Sequence, residues 1–146
     1  MYVDPRGPRF AAAVTAVVLA AVLVTGSGWL LAAQAVVFGL GAIAGLRWAP
    51  YGAVFRAVIR PRLAPPAELE AEAPPRFAQG VGLLFATVGA IGYLTGVTPL
   101  GVVATAFAFA AAFLNAAFNL CLGCEMHIRL VRLLGRPVNR YIARTS

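Results

Sequence analysis

Two long stretches of the chain, Phe10 to Leu46 and Phe77 to Cys124, carry no charged residue, and neither shows the strict alternation of a half-buried strand. A hydrocarbon core about 30 Å thick is crossed by roughly 20 helical residues, so each stretch has the length of two crossings. Each is also interrupted, by Thr25-Gly26-Ser27-Gly28 in the first and Thr95-Gly96-Val97-Thr98-Pro99 in the second. Such clusters are turn signals. Trp29 and Tyr93 flank them, and these residue types favour the headgroup level. The pattern predicts an all-α integral membrane bundle, a single domain over 1–146 with four transmembrane helices at about 10–24, 29–46, 77–94 and 100–122.

Outside these runs the pattern changes. Residues 51–63 set Val54, Phe55, Val58 and Ile59 on one helical face and Arg56 and Arg60 on another, as in a short helix lying in the interface. An irregular basic loop is the alternative. Paired prolines bracket Glu68, Glu70 and Glu72, so 64–76 reads as a solvated linker between two helical hairpins. After the fourth helix, 123–142 forms an amphipathic tail, with Gly123 as the expected bend.

Composition narrows the class. Hydrophobic residues make up 61% of the 146, charged residues 12%, and mean hydropathy is +0.84, which leaves too little polar surface for an ordinary water-soluble enzyme. The net charge of +7 comes from 12 basic residues, all arginine and all outside the two apolar stretches. No aromatic residues are interleaved with them for base stacking, so the charge fits anionic lipid headgroups and not nucleic acid. The arginines lie before the first helix, between the second and third, and after the fourth, while the turns at 25–28 and 95–99 have none. By the positive-inside rule both termini and the central segment are cytoplasmic. A cleaved signal peptide ending near Ala33-Gln34-Ala35 is the rival reading; the preceding apolar stretch is too long and too broken for one.

Few residues carry chemistry. Cys121 and Cys124, the only cysteines, form a CxxC unit at the expected cytoplasmic boundary of the fourth helix. A compartment that keeps thiols reduced favours a transient disulfide or a metal site over a permanent crosslink. At the end of a continuous helix the dipole opposes a thiolate; if the helix breaks there and another begins, the sign reverses. Cys121, Cys124 and His127 are also candidate zinc or iron ligands, with Glu125 or a second subunit completing the set. A dimer is needed to supply four thiolates for an iron–sulfur cluster. Covalent haem is excluded because Glu125 stands where the motif needs histidine. Asn115 and Asn119 read as structural amides hydrogen-bonded between helices, with Gln34 a candidate partner. On a continuous helix they project away from Cys121 and Cys124. Gly41-xxx-Gly45 and Gly92-xxx-Gly96 have close-packing spacing, compatible with a homo-oligomer. No charged residue lies in mid-membrane to couple ion transport.

At Asn119-Leu120-Cys121-Leu122-Gly123-Cys124 the chain resembles a family of small bacterial four-helix membrane proteins of unknown function with a C-terminal Cys-Leu-Gly-Cys run. The resemblance implies the bacterial cytoplasmic membrane, Cys121 and Cys124 as a signature pair, and thioredoxin- or sulfurtransferase-type chemistry. The expectation is a dithiol that exchanges electrons or sulfur with a soluble thioredoxin-like or sulfurtransferase-like partner. A non-catalytic scaffold or assembly subunit and a metal site at the CxxC are the alternatives. No cofactor is specified.

Overall fold

A computed structural model describes residues 2–136 and the backbone of 142–144. Among the described residues six α-helices carry the fold: α1 (Arg6–Thr25), α2 (Gly28–Gly39), α3 (Pro50–Val54), α4 (Ala73–Leu94), α5 (Thr98–Phe118) and α6 (Leu122–Leu133). Three short strands accompany them, β1 (Tyr2–Val3), β2 (Glu68–Ala71) and β3 (Ile142–Arg144). The expected amphipathic tail is helical through α6; its residues 137–141 lie outside the described residues.

The apolar stretches give four helices in two hairpins, packed across each other and not only along themselves. α1 lies along α5, α2 along α4, and α4 along α5, while α6 seats against α4. Leu19, Val22, Leu31 and Phe38 fill the centre with Ala35, Ala86, Ala90 and Ala108. The outward faces remain as apolar as the core: Val24 is 87% exposed, Ile43 74% and Leu84 62%. This inversion suits a bundle surrounded by lipid. The small interior residues allow close approach, and at Gly92 an added Cβ would stand 2.6 Å from the Gly101 backbone nitrogen.

Three helices are long and apolar enough to cross a membrane, Arg6–Thr25, Ala73–Leu94 and Thr98–Phe118. The fourth expected crossing is shorter. α2 runs on through a π-helical turn at Leu40–Ala44, and the chain leaves the helix at Gly45, whose φ of 109° no other residue type adopts readily. The outer helices begin earlier than hydropathy alone indicates. Pro8 sits in the opening turns of α1, and Pro74 and Pro75 in the first turn of α4, where a missing N–H costs nothing.

The segment read as a solvated linker contains a strand. β2 pairs antiparallel with β1, Tyr2 opposite Ala71 and Val3 opposite Glu70, and on its other side with β3, Leu69 opposite Ala143. Alternation of glutamates with Leu69 and Ala71 is the period of a strand with one wet face. The interfacial segment is also less uniform than a single amphipathic helix. After α3 it continues through π and 3-10 turns, and Phe55 is buried against Gly7 and Phe10, while Val54 and Val58 stay about half exposed.

Arginines tie this end of the bundle together. Arg76 donates Nε to the Ala42 carbonyl and Nη2 to that of Ile43, both at 2.7 Å, and Arg9 donates to Ala116 at 3.1 Å. These carbonyls lie at helix ends, where intrahelical donors run out and a cation also complements the dipole. The Glu72 carboxylate accepts from the Leu46 N–H at 2.8 Å.

Candidate functional site

The cysteines stand at a helix junction created by Asn119. α5 ends where Asn119 takes the left-handed conformation (φ 56°), its N–H bonded to the Asn115 carbonyl and that of Leu120 to the Leu114 carbonyl. Asparagine tolerates this conformation better than other side-chain-bearing residues, and the two bonds close the helix as glycine does elsewhere. The break therefore falls before the cysteines, not at Gly123. Cys121 is extended and caps the start of α6, its Sγ accepting from the Cys124 N–H at 3.2 Å.

That placement settles the dipole question. The pair lies at a helix N-terminus, where unpaired N–H groups and the positive end of the dipole favour a thiolate on Cys121. The two sulfurs are at disulfide-bonding distance, with Cα atoms 5.2 Å apart. Gly123 sits between them because α6 meets α4 without intervening side-chain atoms; a Cβ there would stand 2.6 Å from Ala78 Cα.

A cleft of about 250 Å³ opens beside the sulfurs, bordered by Cys121, Cys124, Asn115, Asn119, Glu70 and Glu125. The asparagines thus share a space with the cysteines instead of opposing them, because the turn at Asn119 rotates α6 relative to α5. Partial burial, and then the Glu68 charge, push the Glu70 carboxyl above its ordinary value. Sequence reading left Glu70 in a linker; only the pairing of β2 brings it to the cleft.

The other candidates lie elsewhere. Gln34 does not partner the asparagines: its Oε1 accepts from the Tyr51 hydroxyl at 2.7 Å, and burial pushes that phenol's pKa up. His127 packs its ring near Phe77, with centroids 5.4 Å apart. Among the described residues no group of three His, Cys, Asp or Glu side chains is placed to hold a metal ion, so Cys121, Cys124 and His127 are not gathered as a ligand set.

A separate cavity of about 350 Å³ lies under β1 and β2, with Asp4, Arg47, Arg56 and Arg60 on its walls. Asp4 is bonded to Arg6 at 2.8 Å and faces Arg60 at 3.9 Å. Burial alone would raise the Asp4 carboxyl, but the hydrogen bonds from Arg6 and the nearby positive charges outweigh it and hold the group below its ordinary value. This cluster is structural in form, an ion pair that ties the start of α1 to the segment around Arg60 and Ala64.

A family model described as a domain of unknown function, DUF4395, matches residues 3–132. No curated protein and no solved structure matches the chain.

Proposed function

The chain belongs to the DUF4395 family, whose model covers the bundle and the cysteine junction together, and on that premise we propose that it is a membrane-embedded dithiol that exchanges disulfides with a soluble partner. The observation that carries this reading is Cys121 at the cap of α6 with both sulfurs bordering a polar cleft. A partner's thiolate attacks Cys124 Sγ, the S–S bond breaks, and Cys121 departs as the thiolate that the helix N-terminus stabilises. The lower-pKa sulfur is the better leaving group. A second thiol of the partner then attacks the mixed disulfide, leaving the partner oxidised and Cys121 and Cys124 reduced.

The bilayer placement is part of the same proposal. β1 pairs with β2 and β2 with β3, so all three strands lie on one side of a membrane. Between paired strands the chain crosses an even number of times; α1 crosses, and α2 with its π turn, although short, brings it back. Four crossings result, with both termini and the sulfurs on one face. The described arginines cluster at that face, which the positive-inside rule assigns to the cytoplasm. Snorkelling arginines and local thinning accommodate the short second span.

Mass spectrometry of a Cys121→Ser variant from intact cells tests the chemistry. The expected product is a reducible mixed disulfide through Cys124, absent when both cysteines are serine. Absence of an adduct from Cys121→Ser and from Cys124→Ser alike overturns it in favour of a scaffold role. Labelling of the reduced sulfurs by an impermeant maleimide outside whole cells overturns the placement.

A further inference from the structure

The sulfurs border a second space of opposite character. A cavity of about 260 Å³ lies among α1, α4, α5 and the start of α6, walled by Phe38, Phe85 and Phe107, with no charged residue on its lining among the described residues. Cys121 borders both this cavity and the polar cleft, whereas Cys124 borders only the cleft. Phe107 is also 63% exposed on the outside of the bundle, so the cavity reaches the lipid-facing surface.

Its few polar groups are unused. Thr25, Thr95 and Thr105 each turn the hydroxyl onto the carbonyl four residues earlier, at 2.6 to 2.7 Å. Thr15, only 5% exposed and on the cavity wall, makes no such bond, and its hydroxyl has no partner among the described residues. The side-chain amides of Asn115 and Gln79 line the same space and likewise have no hydrogen-bond partner among the described residues. A hydroxyl and two side-chain amides on the wall of an otherwise apolar cavity are donors and acceptors that a ligand oxygen or hydroxyl can engage.

We infer that the cavity receives the ring of a lipid-soluble quinone, which reoxidises the Cys121–Cys124 dithiol; the inference rests on the exchange reading above. Four requirements converge on that class. The occupant must be uncharged, must enter from lipid, must take two electrons at Cys121, and must offer oxygens to Thr15 and the amides. Nucleotide cofactors fail the first, since no arginine among the described residues lines the cavity, and an acyl chain fails the last two. The volume lies below the roughly 300 to 1,000 Å³ of sites that enclose a drug-sized ligand, so it holds a ring and leaves the isoprenoid tail against lipid.

The step balances without another reagent. The Cys121 thiolate adds to a ring carbon, forming a C–S bond. The Cys124 thiolate then attacks Cys121 Sγ; the S–S bond forms, the C–S bond breaks, and its electron pair stays on the ring. The quinone takes up two protons, matching the two released by the thiols, and leaves as hydroquinone. With a soluble dithiol reducing the disulfide from the cleft, electrons pass from water to lipid through one sulfur.

Full-length protein, reduced and purified in detergent, is mixed with decylubiquinone, and thiol loss and quinone absorbance are followed together. One quinone is expected to be consumed per dithiol, at a rate that saturates with quinone. In Thr15→Val the half-saturating concentration should rise about tenfold, the scale of one lost hydrogen bond. Ala112→Leu, which fills the cavity, should abolish saturation. A rate that stays linear in quinone and is unchanged in both variants overturns the inference. Reduction of the wild-type disulfide by a soluble dithiol protein is measured separately. If that proceeds while quinone oxidation does not saturate, only the inference falls; if neither proceeds, the exchange reading falls with it.

Discussion

At the end of the bundle holding Gly26 and Gly96, the helix reversals are short, carry no charge, and close by direct steric contact. Gly28 packs onto Leu94 and Tyr93, and Gly92 meets the backbone of Gly101. At the opposite end the chain spends its strands, α3, the linker and α6, and closes with hydrogen bonds from Arg6, Arg9 and Arg76 to backbone carbonyls. The clefts and cavities beside Asp4 and Cys121 lie there. The short reversals leave no room for ligands; at the other end Gly123 also meets backbone, at Ala78, but clefts remain open between the arginine ties. On the proposed reading stability and chemistry are segregated along the bundle axis, and substitutions at the two ends should fail differently.

Gly92→Ala should be the most damaging. Its Cβ would meet the Gly101 backbone across a turn only three residues long, which leaves α4 and α5 little freedom to part, and a loss of about 3 kcal/mol in thermal unfolding in detergent is expected. The matching substitution at the porous end, Gly123→Ala, has α6 to absorb the clash with Ala78. Stability should fall by about 1 kcal/mol, while disulfide exchange with a soluble dithiol slows by about tenfold as the sulfurs shift. Equal stability losses at the two sites would erase the contrast. Arg76→Gln removes both carbonyl contacts and should cost about 1 kcal/mol.

Smaller effects come from titration. Asp4 is held below its ordinary value of 3.8, so its contribution is complete above that value and disappears as pH falls through the folded value. The Arg6 side chain is 35% exposed, so solvent screening keeps the contribution small, and Asp4→Asn should remove this pH dependence from an acid-unfolding curve. Glu70 is raised, and once ionised it places negative charge beside the sulfurs. Glu70→Gln should therefore speed exchange above neutrality by about twofold, by removing a negative charge that opposes a departing thiolate. No change in the rate profile would remove Glu70 from the working part of the cleft.

Hydropathy made the helical hairpins legible because lipid imposes one rule on every residue inside it. The arginines were legible as a collar for the same reason, although their bonds to particular carbonyls were not. The cysteine pair was visible as a unit, and its dipole environment was not, because that turned on whether the chain broke at Gly123 or two residues before Cys121. Asn119 carries a signal for the earlier break, but an asparagine in an apolar run reads equally well as an interhelical amide. β2 was hidden for a different reason. A four-residue strand has no stability of its own, and its partners lie at residues 2–3 and 142–144. Gln34 and Tyr51 likewise meet only after the chain has left the helix at Gly45.

The sheet draws on three segments far apart in the sequence. A ribosome delivers Tyr2–Val3 and Glu68–Ala71 long before Ile142–Arg144, so during synthesis the middle strand waits with one edge open. Closure of that edge thus waits for Ile142–Arg144, and a chain cut before them would keep one side of Glu68–Ala71 unpaired, open to another strand.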